Sequence, residues 1–207
     1  MYAALATRPD IAFAVLALSR YNSQPRTSHL TVSKQVLCLL RKTANHCLHF
    51  NAGGSDNDGE ITGYTDSDWA KDSADRKSQG GHVFLCNGGA ISWQSRKQDL
   101  VALSTTEAEF IACSEASREA RWLYQLQRDM TDSNDDAEPM RIFSDSRGAL
   151  ATHHNYKRHH EGQNEAHRPL LPQQPRSPCT QNCAIRLRKY GRQPGGLAHQ
   201  RPAEGKA

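Results

Sequence analysis

A change of periodicity near residue 60 limits this chain to one kind of architecture: helical spacing before it, short strands after it, then one long helix and a further strand. The runs Ile61 to Trp69, Gly81 to Cys86 and Ala90 to Gln94 are strand-like. Asn87-Gly88-Gly89 forms a hairpin turn between the last two, so the three make an antiparallel meander. Ser104-Thr105-Thr106-Glu107 then reads as a capping box, in which the Ser oxygen accepts from the third helical amide and the Glu side chain reaches back. The helix it opens runs to about Arg128, with Ala108, Ile111, Ala112, Ala116, Leu123 and Leu126 as its buried stripe, and ends in the polar loop Thr131 to Pro139. Met140 to Ser144 is a further strand that carries Asp145 at its C-terminal end. Strands on both sides of a helix in this order suit an α/β domain.

Upstream, Ile11, Val15, Leu16 and Leu18 precede a turn at Gln24-Pro25, and Leu30, Val32, Val36, Leu37, Leu39 and Leu40 follow it at helical spacing, which fits two short amphipathic helices. The stretch Asn51 to Gly59 is polar and turn-rich and marks a boundary near residue 55. At the other end, composition changes. Residues 1–150 hold 16 Lys/Arg against 19 Asp/Glu, a balance of −3, whereas residues 151–207 hold 10 against 3, or +7, together with six of the nine prolines and six of the ten histidines. Such a tail has little apolar periodicity and is expected to be largely disordered. The resulting division is 1–54, a helical segment; 55–152, the α/β domain; and 153–207, a basic, Pro-rich tail.

The chain of 207 residues is long enough for one domain whose core needs no disulfides. Its six cysteines, Cys38, Cys47, Cys86, Cys113, Cys179 and Cys183, form no tight paired framework, and a reducing, intracellular setting is the expectation. Cys86 and Cys113 read as small buried apolar residues. No apolar run approaches the ~18 residues of a membrane helix.

The chemistry is concentrated in three acidic residues: Asp66 on a strand, Glu109 on the helix and Asp145 at a strand end. Carboxylates on three successive elements can converge on hard divalent cations, which take oxygen ligands and keep waters and substrate phosphates as the rest. That is equipment for phosphodiester hydrolysis. Taken singly each residue is ordinary, since a Glu near a helix start suits the helix dipole and an Asp at a strand end suits a turn. Strand alternation puts Asp68 on the same face as Asp66, so Asp68 is an auxiliary candidate. Glu107 is absorbed by the capping box, which leaves Glu109 as the metal candidate. Trp69 and Trp93 read as core or sheet packing rather than a base-stacking platform.

Four motifs, in order, resemble one known family. Gly63-Tyr64-Thr65-Asp66-Ser67-Asp68-Trp69-Ala70, Asp75-Arg76-Lys77-Ser78, Ala90-Ile91-Ser92-Trp93-Gln94-Ser95-Arg96-Lys97-Gln98 and Ala102-Leu103-Ser104-Thr105-Thr106-Glu107-Ala108-Glu109-Phe110 are similar to the ribonuclease H domain of copia-type LTR retrotransposon Pol polyproteins. Thr7-Arg8-Pro9-Asp10-Ile11-Ala12-Phe13-Ala14-Val15 through Leu18-Ser19-Arg20-Tyr21 resembles the end of that family's reverse transcriptase, downstream of its polymerase site. No Tyr-x-Asp-Asp occurs, so DNA polymerisation is not expected.

The resemblance implies a ribonuclease H-like α/β fold, a mixed sheet flanked by helices that is C-terminally incomplete and preceded by a helical remnant. It also implies that Asp66 bridges two Mg²⁺ or Mn²⁺ ions, with Glu109 and Asp145 completing the set, and that the RNA strand of an RNA–DNA hybrid is hydrolysed. Arg76, Lys77, Arg96 and Lys97 are candidates for phosphate contacts, although solvated loops explain them equally. The implied partners are the hybrid and the rest of the Pol polyprotein, with no membrane. The implied location is a cytoplasmic particle or the nucleus, and secretion is not expected.

Past Asp145 the sequence departs from the family, which would continue with T-K-H-I-D and later D-N-P-A-D, the last Asp being a fourth metal ligand. Shifted forward by one nucleotide, codons allowed for Asn164 to Pro169 can spell the first motif and those for Arg192 to Leu197 the second. A frameshift around residues 151–163 is the reading this supports. It lowers the weight of a zinc cluster at His153, His154, His159, His160, Cys179 and Cys183, and of a nucleic-acid arm. With the fourth carboxylate missing, weak or absent activity is expected, and a hybrid-binding module or a degenerate fragment is the principal rival. An integrase also uses three acids, but its Glu comes last, whereas here it lies between the aspartates.

Overall fold

The computed structural model describes residues 1–51, 59–72, 75–131 and 139–152, and the strand Cys183–Leu187. The boundary expected near residue 55 and, of the tail's His/Cys cluster, His153, His154, His159, His160 and Cys179 fall outside the described residues, while Cys183 lies in the strand Cys183–Leu187. Helix α1 (Tyr2–Ala6), a 3-10 turn (Pro9–Ile11), α2 (Ala12–Ser19) and α3 (Thr27–Lys42) precede the strands β1 (Ile61–Asp68), β2 (Gln79–Cys86) and β3 (Gly89–Lys97). The long helix α4 (Thr105–Thr131), β4 (Met140–Ser144) and β5 (Cys183–Leu187) follow.

The strands form one mixed sheet in the order β3-β2-β1-β4-β5. The β1, β2 and β3 pairings are antiparallel, and β4 lies parallel to both β1 and β5. The expected α/β architecture is therefore observed. The hairpin turn is legible in its torsions: Asn87 and Gly88 have φ of +49° and +79°, the left-handed pair of a two-residue primed turn. It closes on the Cys86–Gly89 pair, and a register shift on the β3 side follows between Phe84 and Leu85.

The core lies between α4 and the sheet, built from Ile61, Phe84, Ala116, Ala120, Leu123, Tyr124, Met140 and Ile142. Ala108, Ala112, Ala116 and Ala120 recur every fourth residue and are all buried, so α4 presents a row of methyls to the strands. The stripe read from the sequence needs correcting at its edges. Leu126 is 39% exposed and Ile111 only half-buried, while Cys113, Ala120 and Tyr124 are inside. Cys113 is buried as expected, and Cys86 is half-buried against the core cluster.

The N-terminal segment touches the sheet at β3 and at the start of β2. The Trp93 indole N–H donates to Ala4 O at 2.8 Å, and the Arg20 guanidinium reaches Gln79 and Asp72. Of the two amphipathic helices expected here, α3 buries none of its residues, and Leu30, Val32, Leu37 and Leu39 are exposed.

Strand β5 is a short ordered element within the tail expected to be largely disordered. It pairs with β4 in the register Met140–Cys183 through Ser144–Leu187. Strand addition uses backbone groups, so a chain without apolar periodicity can still supply one short strand. Ending the chain after residue 152 is expected to raise hydrogen exchange at the β4 amides while leaving β1 and β2 protected. Unchanged β4 protection would show that this pairing is absent in solution.

Candidate metal centre

Parallel pairing sets two of the three acids. Tyr64 lies opposite Phe143, so two residues further along each strand Asp66 comes level with Asp145 at the C-terminal ends of β1 and β4. The third arrives from α4. Its start is fixed by the expected cap: Ser104 Oγ accepts the Glu107 N–H at 3.1 Å, and the Glu107 carboxylate accepts the Leu103 N–H at 2.7 Å. Glu107 is thus occupied as a cap, and Glu109 turns toward the strand ends. Ser146 Oγ accepts the Ala149 N–H at 3.2 Å and starts the helical turn 147–152. Gly148 of that turn comes so close to α4 that a Cβ there would stand 2.8 Å from Thr106 Oγ1.

Carboxylate oxygens of Asp66, Glu109 and Asp145 lie within 4.8 Å of one another. Asp66 and Asp145 are exposed, whereas Glu109 is 9% exposed. The Ser67 N–H is shared between Asp66 Oδ1 at 2.8 Å and Glu109 Oε1 at 3.3 Å. Glu109 Oε2 is buried without a hydrogen-bond partner. Burial first, and then the Asp66 charge, push the Glu109 carboxyl up to about 7, with Asp145 adding to the rise and the Ser67 amide opposing it. Three oxygen donors, one of them buried and unpartnered, suit a hard cation, which would supply the missing partner and offset the crowded charge.

The other candidates are placed apart from this cluster or committed elsewhere. Asp68 is exposed and paired with Lys71. Lys97 sits between Asp72 and Asp75, at 2.5 and 2.7 Å, and Arg96 pairs with Asp99 at 3.0 Å. Arg76 is exposed, in a left-handed conformation with φ +58°, and Lys77 is half-buried. Trp69 is 44% exposed rather than inserted in the core, held by its N–H to Ala102 O at 3.0 Å. Sequence reasoning did not anticipate the Ser67 backbone amide, which carries no side-chain signal.

No protein-family model matches the chain. It is 46% identical over 123 residues to the secreted RxLR effector protein 161 of Plasmopara viticola, covering 59% of this chain and 84% of that protein. It is 48% identical over 130 residues to the retrovirus-related Pol polyprotein from transposon TNT 1-94 of Nicotiana tabacum, covering 63% of this chain and 10% of the polyprotein. The Pol polyprotein from transposon RE1 of Arabidopsis thaliana is 38% identical over 120 residues, 58% of this chain and 8% of that protein. The chain therefore spans most of the effector and about a tenth or less of the polyproteins. Among solved structures, LC11-RNase H1 in complex with RNA/DNA hybrid aligns over 53% of this chain and 67% of that one at 17% identity, with a TM-score of 0.30, too loose a likeness to carry weight.

Proposed function

The chain belongs to the family of retrovirus-related Pol polyproteins of transposons, and from that premise we propose that its α/β part is a copia-type ribonuclease H domain hydrolysing the RNA strand of RNA–DNA hybrids. The observation that carries this reading is the convergence of Asp66, Glu109 and Asp145 within 4.8 Å, from two parallel strands and the helix packed on them. Bound there, a pair of Mg²⁺ or Mn²⁺ ions would supply an activated water and a stabilised leaving oxygen for in-line displacement. The chain's own share is positional. Asp66 and Asp145 face solvent, so a cation held by them would be open to a substrate phosphate. Glu109 is held from the protein side by the Ser67 amide and would offer a cation its carboxylate there, releasing any proton it carried. Asp68 stays auxiliary, and Arg76 and Lys77 are better placed for phosphate contact than Lys97, which is engaged with two carboxylates.

The same reading assigns residues 1–54 to the end of a reverse transcriptase and the tail to a frameshifted continuation, with the fourth carboxylate lost. It places the protein inside the cell with the rest of a Pol polyprotein. The word "secreted" belongs to the name of one relative, and no described helix is long and apolar enough to cross a membrane. Sequencing the encoding DNA tests the frameshift, which an intact frame lacking both motifs removes. The absent ligand favours a second reading, a hybrid-binding or degenerate fragment without catalysis. Incubating the protein with labelled hybrid and Mg²⁺ or Mn²⁺ separates them. Slow cleavage abolished by Asp66→Asn is expected; cleavage that survives the substitution removes the site assignment, and none from the wild type leaves the second reading.

A further inference from the structure

Gln98 lies just beyond β3, 1% exposed, where the start of β2, the end of β1 and the start of α4 come together. Its backbone N–H donates to Ser78 O at 2.9 Å, ahead of β2. Ser78, itself fully buried, accepts the Ala70 N–H on its hydroxyl at 3.2 Å, just after β1. The Gln98 side chain passes between β2 and α4, where a Cβ on Gly80 would stand 3.5 Å from its Nε2 and 3.6 Å from the Ala112 methyl. There the amide donates to Ala108 O at 2.8 Å. The orientation of the amide is decided by that contact, because the flipped form would set two oxygens against each other. The Gln98 Oε1 is left buried without a partner. A polar side chain kept at that cost in a site lined by alanine and glycine is there for its one good bond. Ala108 immediately precedes Glu109, so this bond acts on the backbone that aims the cluster's buried carboxylate.

We infer that Gln98 is a positioning residue of the metal centre: by gripping the carbonyl of Ala108 it fixes the second turn of α4 against β1 and β2, and so holds the Glu109 carboxylate at the Ser67 amide. This rests on the proposed metal-dependent reading and adds to it the strut that sets the geometry. Gln98 touches none of the three carboxylates directly, so its effect is on where Glu109 stands.

The test uses the whole chain with Mn²⁺ as probe, measuring its affinity by calorimetry and exchange at the Ser67 amide by NMR. Gln98→Met keeps the side-chain volume and removes the donor and the orphaned oxygen; Gln98→Glu sets an acceptor against Ala108 O. Leu123→Ala is the control, a core truncation on the same helix ~21 Å further along at 1.5 Å per residue. Both Gln98 variants are expected to lose about tenfold or more in Mn²⁺ affinity, the size seen when a ligand loses its orienting partner. They should also speed exchange at Ser67, while Leu123→Ala does neither at an equal or larger drop in Tm. Equal effects from the three variants, or none from the Gln98 pair, would overturn the inference. Should the wild type bind no Mn²⁺, the metal reading fails on its own, and Ser67 decides: faster exchange confined to the Gln98 variants upholds the positioning role, and uniform exchange overturns it.

Discussion

In metal-free buffer at pH 8, Glu109→Gln is expected to make the protein more stable than the wild type, by about 2–3 kcal/mol, while removing Mn²⁺ binding and cleavage together. Burial, followed by the Asp66 charge, raises the folded Glu109 carboxyl from the ordinary 4.5 to about 7. Between those values the folded chain holds a proton at Glu109 that the unfolded chain has released, so the contribution of Glu109 to stability falls as pH rises from about 4.5 and levels off above about 7. Each pH unit in that window is worth about 1.4 kcal/mol for one proton. Gln is neutral throughout and escapes the loss. At pH 4 both proteins carry a neutral side chain at 109, and the difference should vanish. Added Mn²⁺ should reverse the ranking at pH 8, because it stabilises only the chain that binds it. Thermal unfolding with EDTA or Mn²⁺ across this range provides the measurement. A gain that persists undiminished at pH 4 would trace to packing, and no gain at pH 8 would show that Glu109 carries no trapped charge.

The second large effect belongs to the core. Phe84 is fully buried and lies opposite Gly63, where a Cβ would stand 2.5 Å from Phe84 Cε1. The ring occupies the space that a side chain on β1 would need. Phe84→Ala is expected to cost about 3–5 kcal/mol by the cavity it leaves, and Gly63→Ala about 1–3 kcal/mol by overpacking. The two are in contact and should not add. With Phe84→Ala already present, Gly63→Ala should cost much less, since its methyl enters the vacated volume. Urea unfolding of the two single variants and the double variant measures the coupling. Additive costs would mean that the ring does not rest on Gly63.

Local chemistry was the most legible part of the sequence. Asn87-Gly88 forms its turn because the left-handed torsions there suit those two residues, and Ser104 with Glu107 caps α4 because both partners lie within one turn. The three carboxylates were found by type and order, and the parallel register of β1 and β4 then brings two of them level. What depends on long-range docking was harder to read. The buried stripe of α4 was displaced at Ile111 and Leu126 because spacing gives the period of a helix and leaves its rotation on the sheet open. Alanine at 120 and tyrosine at 124 carry weak signals beside two leucines. Gln98 looked like part of a motif, and only the folded chain shows its amide reaching Ala108. Strand β5 was missed because its partner, β4, lies some forty residues upstream, beyond the reach of any local pattern.

The alanines at 108, 112, 116 and 120 act as a gauge block between two layers. Their methyls set how closely the helix can approach the strands, and Glu109 rides on that helix while Asp66 and Asp145 ride on the strands. The gap between the three carboxylates is thus machined by the thickness of an apolar seam. A single added carbon at Ala112 would retune the centre without touching an oxygen.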